Sequence, residues 1–229
     1  MKFAVIEFPG SNCDHDFYHA AKSALGCETR FVWHQERDLS GFDVVILPGG
    51  FSFGDYLRAG AIARFSPIMT EVARHAKRGG YVLGVCNGFQ ILTEAGLLPG
   101  ALTLNRGRKF ICADMRLRVE TANSFVTRGL EKGRLITVPI AHMEGRYVAD
   151  VETLRRLNGD DRVLLRYCDG QGAVTDQANP NGAAENIAGI LSGGRNVAGM
   201  MPHPERVVEK ALGGEDGLLI LNSILSRAA

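Results

Sequence analysis

The chain has 229 residues, 45% of them hydrophobic and 22% charged, with a formal net charge of +1. That balance can fill one large α/β core or two small ones, and it excludes the overall basic field that draws a protein to nucleic acid or to an anionic membrane. The cysteines, Cys13, Cys27, Cys86, Cys112 and Cys168, are scattered without a C-x-x-C pair, which speaks against a zinc knuckle or redox couple and fits a reducing, cytoplasmic location. The apolar run at residues 3–6 stops at Glu7, too short for a signal core, and no uncharged stretch reaches the length of a membrane span, so a soluble, unprocessed protein is expected.

Residues 2–8 form an apolar, β-rich run ended by Pro9-Gly10, and Ser11 is placed to cap a helix over 13–25 that Gly26 closes. Asp14-His15-Asp16 reads as a set of dipole partners in that helix's first turn, not as a metal cluster. Strands are predicted over 28–33 and 42–47. The second contains Val44-Val45-Ile46-Leu47, apolar enough to be buried on both faces as parallel strands are, so helices should cover both sides of the sheet. A helix over 67–78, capped by Ser66 and stopped by Gly79-Gly80, leads into a strand over 81–85 and a helix over 87–94.

After residue 96 the alternation changes. Runs at 101–104, 109–119 and 135–140 look like strands with little helix between them, which predicts an antiparallel insertion. A short helix over 150–158, a strand over 163–167, a Gly/Asn-rich loop over 171–184, strands over 187–191 and 196–201 and a closing helix over about 215–227 complete the chain. No repeat or linker interrupts it, and residues 1–229 read as a single domain. The pattern predicts a flavodoxin-like α/β fold: an open, mostly parallel sheet with helices on both faces and an antiparallel β insertion.

The stretch Gly84-Val85-Cys86-Asn87-Gly88-Phe89-Gln90 has the layout of a nucleophile elbow, with Cys86 at a sharp strand-to-helix turn between two glycines. A helix N-terminus there favours negative charge and offers free N–H groups to an oxyanion. A buried cysteine after a strand is more often inert core than catalyst, so the reading needs a base. His203 supplies one, held on a rigid bend between Pro202 and Pro204, with Glu205 two residues on to orient the ring. His142 with Glu144 is the competing pair, but no elbow accompanies it and a surface or partner-contact role fits it better; His15, His19, His34 and His75 read as surface residues. The shaped loop over 48–55 also leaves the carboxyl end of a strand, and the N–H of Gly50, paired with that of Asn87, is the expected oxyanion donor. No phosphate loop, no G-x-G-x-x-G after a strand and no H-E-x-x-H occurs, so no nucleotide or metal site is expected in this chain.

The Cys86 motif resembles that of class I (triad) glutamine amidotransferases. The match narrows to the small glutaminase subunits of phosphoribosylformylglycinamidine synthases through residues 9–14, 49–58, 60–64, 109–112 and 201–206, so the resemblance spans nearly the whole chain. Met143 departs from it, since that family has Gly between His and Glu at this place; the departure bears on loop shape, not on the triad. The resemblance implies the class I glutamine amidotransferase fold and a Cys86-His203-Glu205 triad that hydrolyses glutamine through a thioester, with Gln90 helping to hold the substrate. It implies a large synthetase subunit that receives the ammonia and uses ATP and Mg, a small bridging subunit, and no cofactor in this chain. Arg58, Arg64 and Lys109 are candidates for the surface that meets the synthetase. On the residues alone, a stand-alone cysteine hydrolase or peptidase on a similar fold and a non-catalytic scaffold subunit stay open.

Overall fold

The computed structural model describes residues 1–226. Eleven strands and five α-helices are present among them. In chain order they are β1 (Lys2–Glu7), α1 (Asp14–His19), β2 (Glu28–Trp33), β3 (Val44–Leu47), α2 (Pro67–Lys77), β4 (Tyr81–Val85), α3 (Asn87–Glu94), β5 (Ala101–Thr103), β6 (Ile111–Val119), β7 (Leu135–His142), β8 (Arg146–Val148), α4 (Val151–Gly159), β9 (Val163–Tyr167), β10 (Ile187–Leu191), β11 (Val197–Met200) and α5 (Asp216–Leu225).

Nine of the strands form one sheet in the order β2-β1-β3-β4-β11-β10-β9-β6-β7. The pairs β2-β1, β1-β3, β3-β4 and β4-β11 are parallel, and every pair from β11 to β7 is antiparallel. All four residues of β3 are buried, as an interior parallel strand covered on both faces requires. This is the flavodoxin-like start of a doubly wound sheet, whose binding crevice lies at the carboxyl ends of its strands.

The predicted antiparallel insertion is not a separate layer. β6 and β7 extend the main sheet through β9, because β6 pairs with both. Only β5 and the unpredicted β8 stand apart, as a two-stranded ribbon. Pro139, which cannot donate to a ladder, sits in β7 at the sheet edge, where its missing N–H costs nothing. The sheet also curls. Its edge strand β7 returns to the carboxyl end of the parallel half, where the Pro139 carbonyl accepts the His203 N–H at 2.8 Å.

Two expected helix caps are absent for the same reason. The Ser11 hydroxyl accepts instead from the Phe8 N–H at 3.1 Å, and the Ser66 hydroxyl lies 3.1 Å from His34 Nδ1. Both are engaged by neighbours the sequence does not place, so Cys13 rather than Ser11 precedes α1, which widens into a π-type turn over Ala20–Ala24. Asp150 does cap α4, accepting from the Thr153 N–H at 2.7 Å. The closing helix ends at Leu225, and the expected last residue, Arg227, lies outside the described residues. No described helix is long and apolar enough to cross a membrane.

Candidate active site

The strands β1, β3, β4 and β11 are neighbours in the sheet, run parallel and release their chain at one end. That arrangement gathers four segments remote in sequence: residues 9–13, 48–55, 86–90 and 201–206. The first two are pinned by a bridge between Ser11 and Gly50, flanked by bonds from Phe51 N–H to the Gly10 carbonyl and from Cys13 N–H to the Gly49 carbonyl. The third is the elbow. Cys86 takes φ 50° and ψ −108°, a strained conformation for a residue with a side chain, held by its N–H bond to the Met200 carbonyl at 2.8 Å.

The flanking glycines are needed for close approach. A Cβ on Gly88 would lie 1.9 Å from the Leu47 carbonyl oxygen, so α3 begins directly on the end of β3. One on Gly84 would lie 2.6 Å from the Gly88 carbonyl oxygen. Gly49 marks the point where the reactive groups converge: a Cβ there would meet His203 Cε1 at 2.7 Å, Cys13 Sγ at 3.0 Å and Cys86 Cβ at 3.4 Å. Only hydrogen fits.

His203 and Glu205 are both buried, and His203 Nδ1 lies 2.6 Å from Glu205 Oε1. His203 Nε2 has no hydrogen-bond partner among the described residues and is left for chemistry. Burial opposes a charge on this ring, but the Glu205 carboxylate and the Cys86 and Cys13 sulfurs prevail and hold its pKa well above the ordinary 6.5. The structure thus brings together Cys86, His203 and Glu205, with Gly50 and Asn87 alongside, and neither of those two N–H groups donates to an acceptor among the described residues. Gln90 is buried one turn into α3. Its amide is engaged at both ends, accepting from Asn87 Nδ2 at 3.0 Å and donating to the Glu144 carbonyl at 2.7 Å. The Asn87 side chain in turn accepts from the Ser52 N–H at 3.1 Å and ties the 48–55 loop to the elbow.

Several residues of the site escaped the sequence. Cys13, a scattered cysteine by spacing, is buried with its sulfur, a His203 nitrogen and a Glu205 oxygen all within 4.8 Å of one another, and it accepts from Arg206 Nη2 at 2.9 Å. Tyr167 is buried with its hydroxyl unpartnered among the described residues, and burial and the nearby Cys86 sulfur push its pKa up. His142 is not a surface residue. The curl of β7 buries it beside His203, with Nδ1 3.1 Å from Asn105 Oδ1 and Nε2 unpartnered among the described residues. The Ala141 carbonyl before it lies 3.7 Å from Cys86 Sγ. His34 and His75 are buried too, whereas His15 and His19 are exposed as expected. A surface cavity of ≈ 870 Å³ bordered by Tyr81, Phe125, Arg128 and Arg195 contains none of these groups.

Burial and the proximity of His203 lower the His142 pKa from 6.5 to about 4. In the unfolded chain the ring takes up a proton near pH 6.5, in the native state only near pH 4, so below pH 6.5 the unfolded state binds more protons and stability falls as pH falls. Asp55 acts in the opposite sense, because burial and Glu144 raise its carboxyl from 3.8 to about 6. A His142→Gln comparison isolates the histidine: between pH 7 and pH 5, urea unfolding of the wild type should lose about 2 kcal/mol more than that of the variant. Parallel losses in the two proteins would exclude a neutral buried His142.

A family model described as the CobB/CobQ-like glutamine amidotransferase domain matches residues 1–213. The chain belongs to this glutamine amidotransferase family. It is 57% identical over 228 residues to the phosphoribosylformylglycinamidine synthase subunit PurQ of Salinibacter ruber, covering 100% of this chain and 97% of that protein. The PurQ subunit of Aquifex aeolicus is 53% identical over 226 residues, covering 99% of this chain and all of that one. Among solved structures, PurLQS from Thermotoga maritima superimposes with a TM-score of 0.87 at 45% identity, over 98% of this chain and 97% of that one. A glutamine amidotransferase from the same organism, at 15% identity and a TM-score of 0.61 over 98% and 96% of the two chains, shares the fold. The class I glutamine amidotransferase fold that the resemblance implies is the fold of this family.

Proposed function

We propose that this chain is the glutaminase subunit of phosphoribosylformylglycinamidine synthase. It hydrolyses glutamine and supplies ammonia to a large synthetase subunit that converts formylglycinamide ribonucleotide to its amidine in purine synthesis. The observation that carries the chemistry is the convergence of Cys86, on its strained elbow, with a buried His203 whose Nε2 is free and whose Nδ1 is held by Glu205. The full-length identity to PurQ subunits supports the choice of pathway.

In this reading Cys86 Sγ attacks the side-chain amide carbon of glutamine, and the oxygen that gains charge is held by the N–H groups of Gly50 and Asn87. His203 donates its proton to the departing nitrogen, the C–N bond breaks, and ammonia and a γ-glutamyl thioester result. Water then gives a proton to His203 Nε2 and attacks the thioester, releasing glutamate and the thiol. Glu205 fixes the ring tautomer and steadies its charge. Gln90 positions the Glu144 turn against the elbow, and its amide, making one bond at each end, keeps one N–H and one oxygen lone pair for glutamine. ATP and Mg²⁺ serve the large subunit, a small subunit bridges the two, and the complex works in the cytoplasm.

The test is glutamate release from glutamine by the purified chain, alone and with the large and small subunits, ATP and formylglycinamide ribonucleotide. Quenched samples should carry a γ-glutamyl adduct on the Cys86 peptide, and release should rise when the partners are present. An adduct on another residue would remove Cys86 from the role; no glutamate under any condition would remove the function.

A further inference from the structure

We propose that the groove walled by Leu57, Arg58, Leu104, Arg106, Arg108 and Arg146 seats an acidic surface of the large synthetase subunit carrying an apolar projection. The inference rests on the glutaminase reading above and adds to it where the partner sits. Ammonia set free in neutral water is protonated and ceases to be a nucleophile, so the acceptor subunit has to cover the place where the product leaves. This groove is joined to the elbow by hydrogen bonds. Glu144 lines it, and the same residue accepts from Gln90 Nε2 at 2.7 Å through its carbonyl and from the Ala59 N–H at 3.3 Å through its carboxylate. Gln90 N–H bonds to the Cys86 carbonyl at 3.1 Å, so the groove is two contacts from the elbow. Asn105, also in its wall, holds His142 beside the triad.

The chemistry of the wall specifies what fits it. Arg58, Arg106, Arg108 and Arg146 face a single carboxylate, Glu144, although the chain as a whole carries only +1. Arg58 is paired outside the groove with Glu94, whereas Arg106, Arg108 and Arg146 form no ion pair among the described residues. An acidic partner surface would neutralise that concentration of charge and steer the encounter. The lip is apolar: Leu57 is 88% exposed and the adjacent Tyr56 74%. Leu57 takes φ 72°, a left-handed conformation uncommon for leucine, and its apolar side chain stands out in water where it makes no core contact. Exposed apolar residues set in a polar, charged rim are the composition of a protein interface rather than of a small-ion site.

The test is association of the full chain with the large and small subunits, followed by sedimentation, with glutamine-dependent and ammonium-dependent synthesis measured in the same complexes. Leu57→Asp and the separate charge reversal Arg106→Glu should each weaken association at least tenfold and lower glutamine-dependent synthesis, while synthesis from added ammonium is unchanged. Leu212→Asp, at a half-exposed leucine away from the groove, should leave association as it is. Circular dichroism identifies any variant that fails to fold, and Arg106, an exposed residue, carries the test if Leu57→Asp does. Wild-type affinity in a folded Leu57→Asp or Arg106→Glu chain, or equal weakening by Leu212→Asp, overturns the docking face alone. A wild-type chain that associates with no synthetase subunit overturns the glutaminase-subunit reading as well.

Discussion

Glutamate release by the complex falls by about 10⁴-fold or more when Cys86 is replaced by alanine, while synthesis from added ammonium continues. The size follows from the route. Without the thiol no thioester forms, and water would have to attack an unactivated amide with only the oxyanion donors and binding to help. Alanine keeps the elbow, because it has the same backbone preferences as cysteine at φ 50°, so the loss reports chemistry and not folding. In the proposed triad the residues act as one unit, so Cys86→Ala combined with His203→Gln should be no worse than Cys86→Ala alone. Two losses that multiply would mean that His203 serves a step in which Cys86 takes no part, and more than a tenth of wild-type turnover in Cys86→Ala would exclude it as nucleophile.

Gly88→Ala is expected to be the most destabilising single methyl in the elbow. Its Cβ would sit 1.9 Å from the Leu47 carbonyl oxygen and 2.6 Å from the Leu47 carbonyl carbon. Both are main-chain atoms of a buried strand, so no side chain can swing aside, and either α3 lifts off β3 or the turn at Cys86 opens. Overpacking that displaces backbone costs about 3 kcal/mol or more, against a total stability of about 5–15 kcal/mol for a domain. Soluble yield and the urea midpoint should both drop sharply. Folded material should turn over glutamine at least about 10²-fold more slowly, because the Asn87 N–H leaves its place. Gly107→Ala, where an added Cβ meets nothing within 4 Å, is the control and should stay within about 0.5 kcal/mol of wild type. A Gly88→Ala chain as stable as that control would mean that the elbow is not as tightly packed as the structure has it.

What could be seen in the sequence was whatever is written locally. The strands over 28–33, 81–85, 163–167 and 187–191 match β2, β4, β9 and β10 residue for residue, since each is rich in β-branched, aromatic and other apolar residues. The elbow and the His203-Glu205 bend were legible for a related reason: glycine and proline advertise an unusual backbone. The caps at Ser11 and Ser66 were misjudged because a serine hydroxyl takes whichever partner the fold presents, and here those are the Phe8 N–H and His34. β8 is three residues long and owes its form to β5, which no local pattern announces. The largest omission was the curl of the sheet. Nothing in residues 135–142 says that their strand will lie against Cys86 and His203, so the burial of His142 and the place of Ala141 were invisible. Gly49 and Cys13 were missed likewise, because crowding at a point belongs to the fold and not to the chain.

The curl has a consequence for how the molecule comes into being. The site is closed by contacts between residues very far apart in sequence: Arg206 with Cys13, His203 with Pro139, Cys86 with Ala141. Contacts of such separation form late and slowly, because a long loop must be closed before they give any return. His203 and Glu205, the base and orienting carboxylate of the proposed triad, also leave the ribosome after Cys86, both glycine turns and the whole antiparallel half. A nascent or half-folded chain therefore carries the thiol without the machinery that makes it act, and glutamine is consumed only by chains that have finished folding.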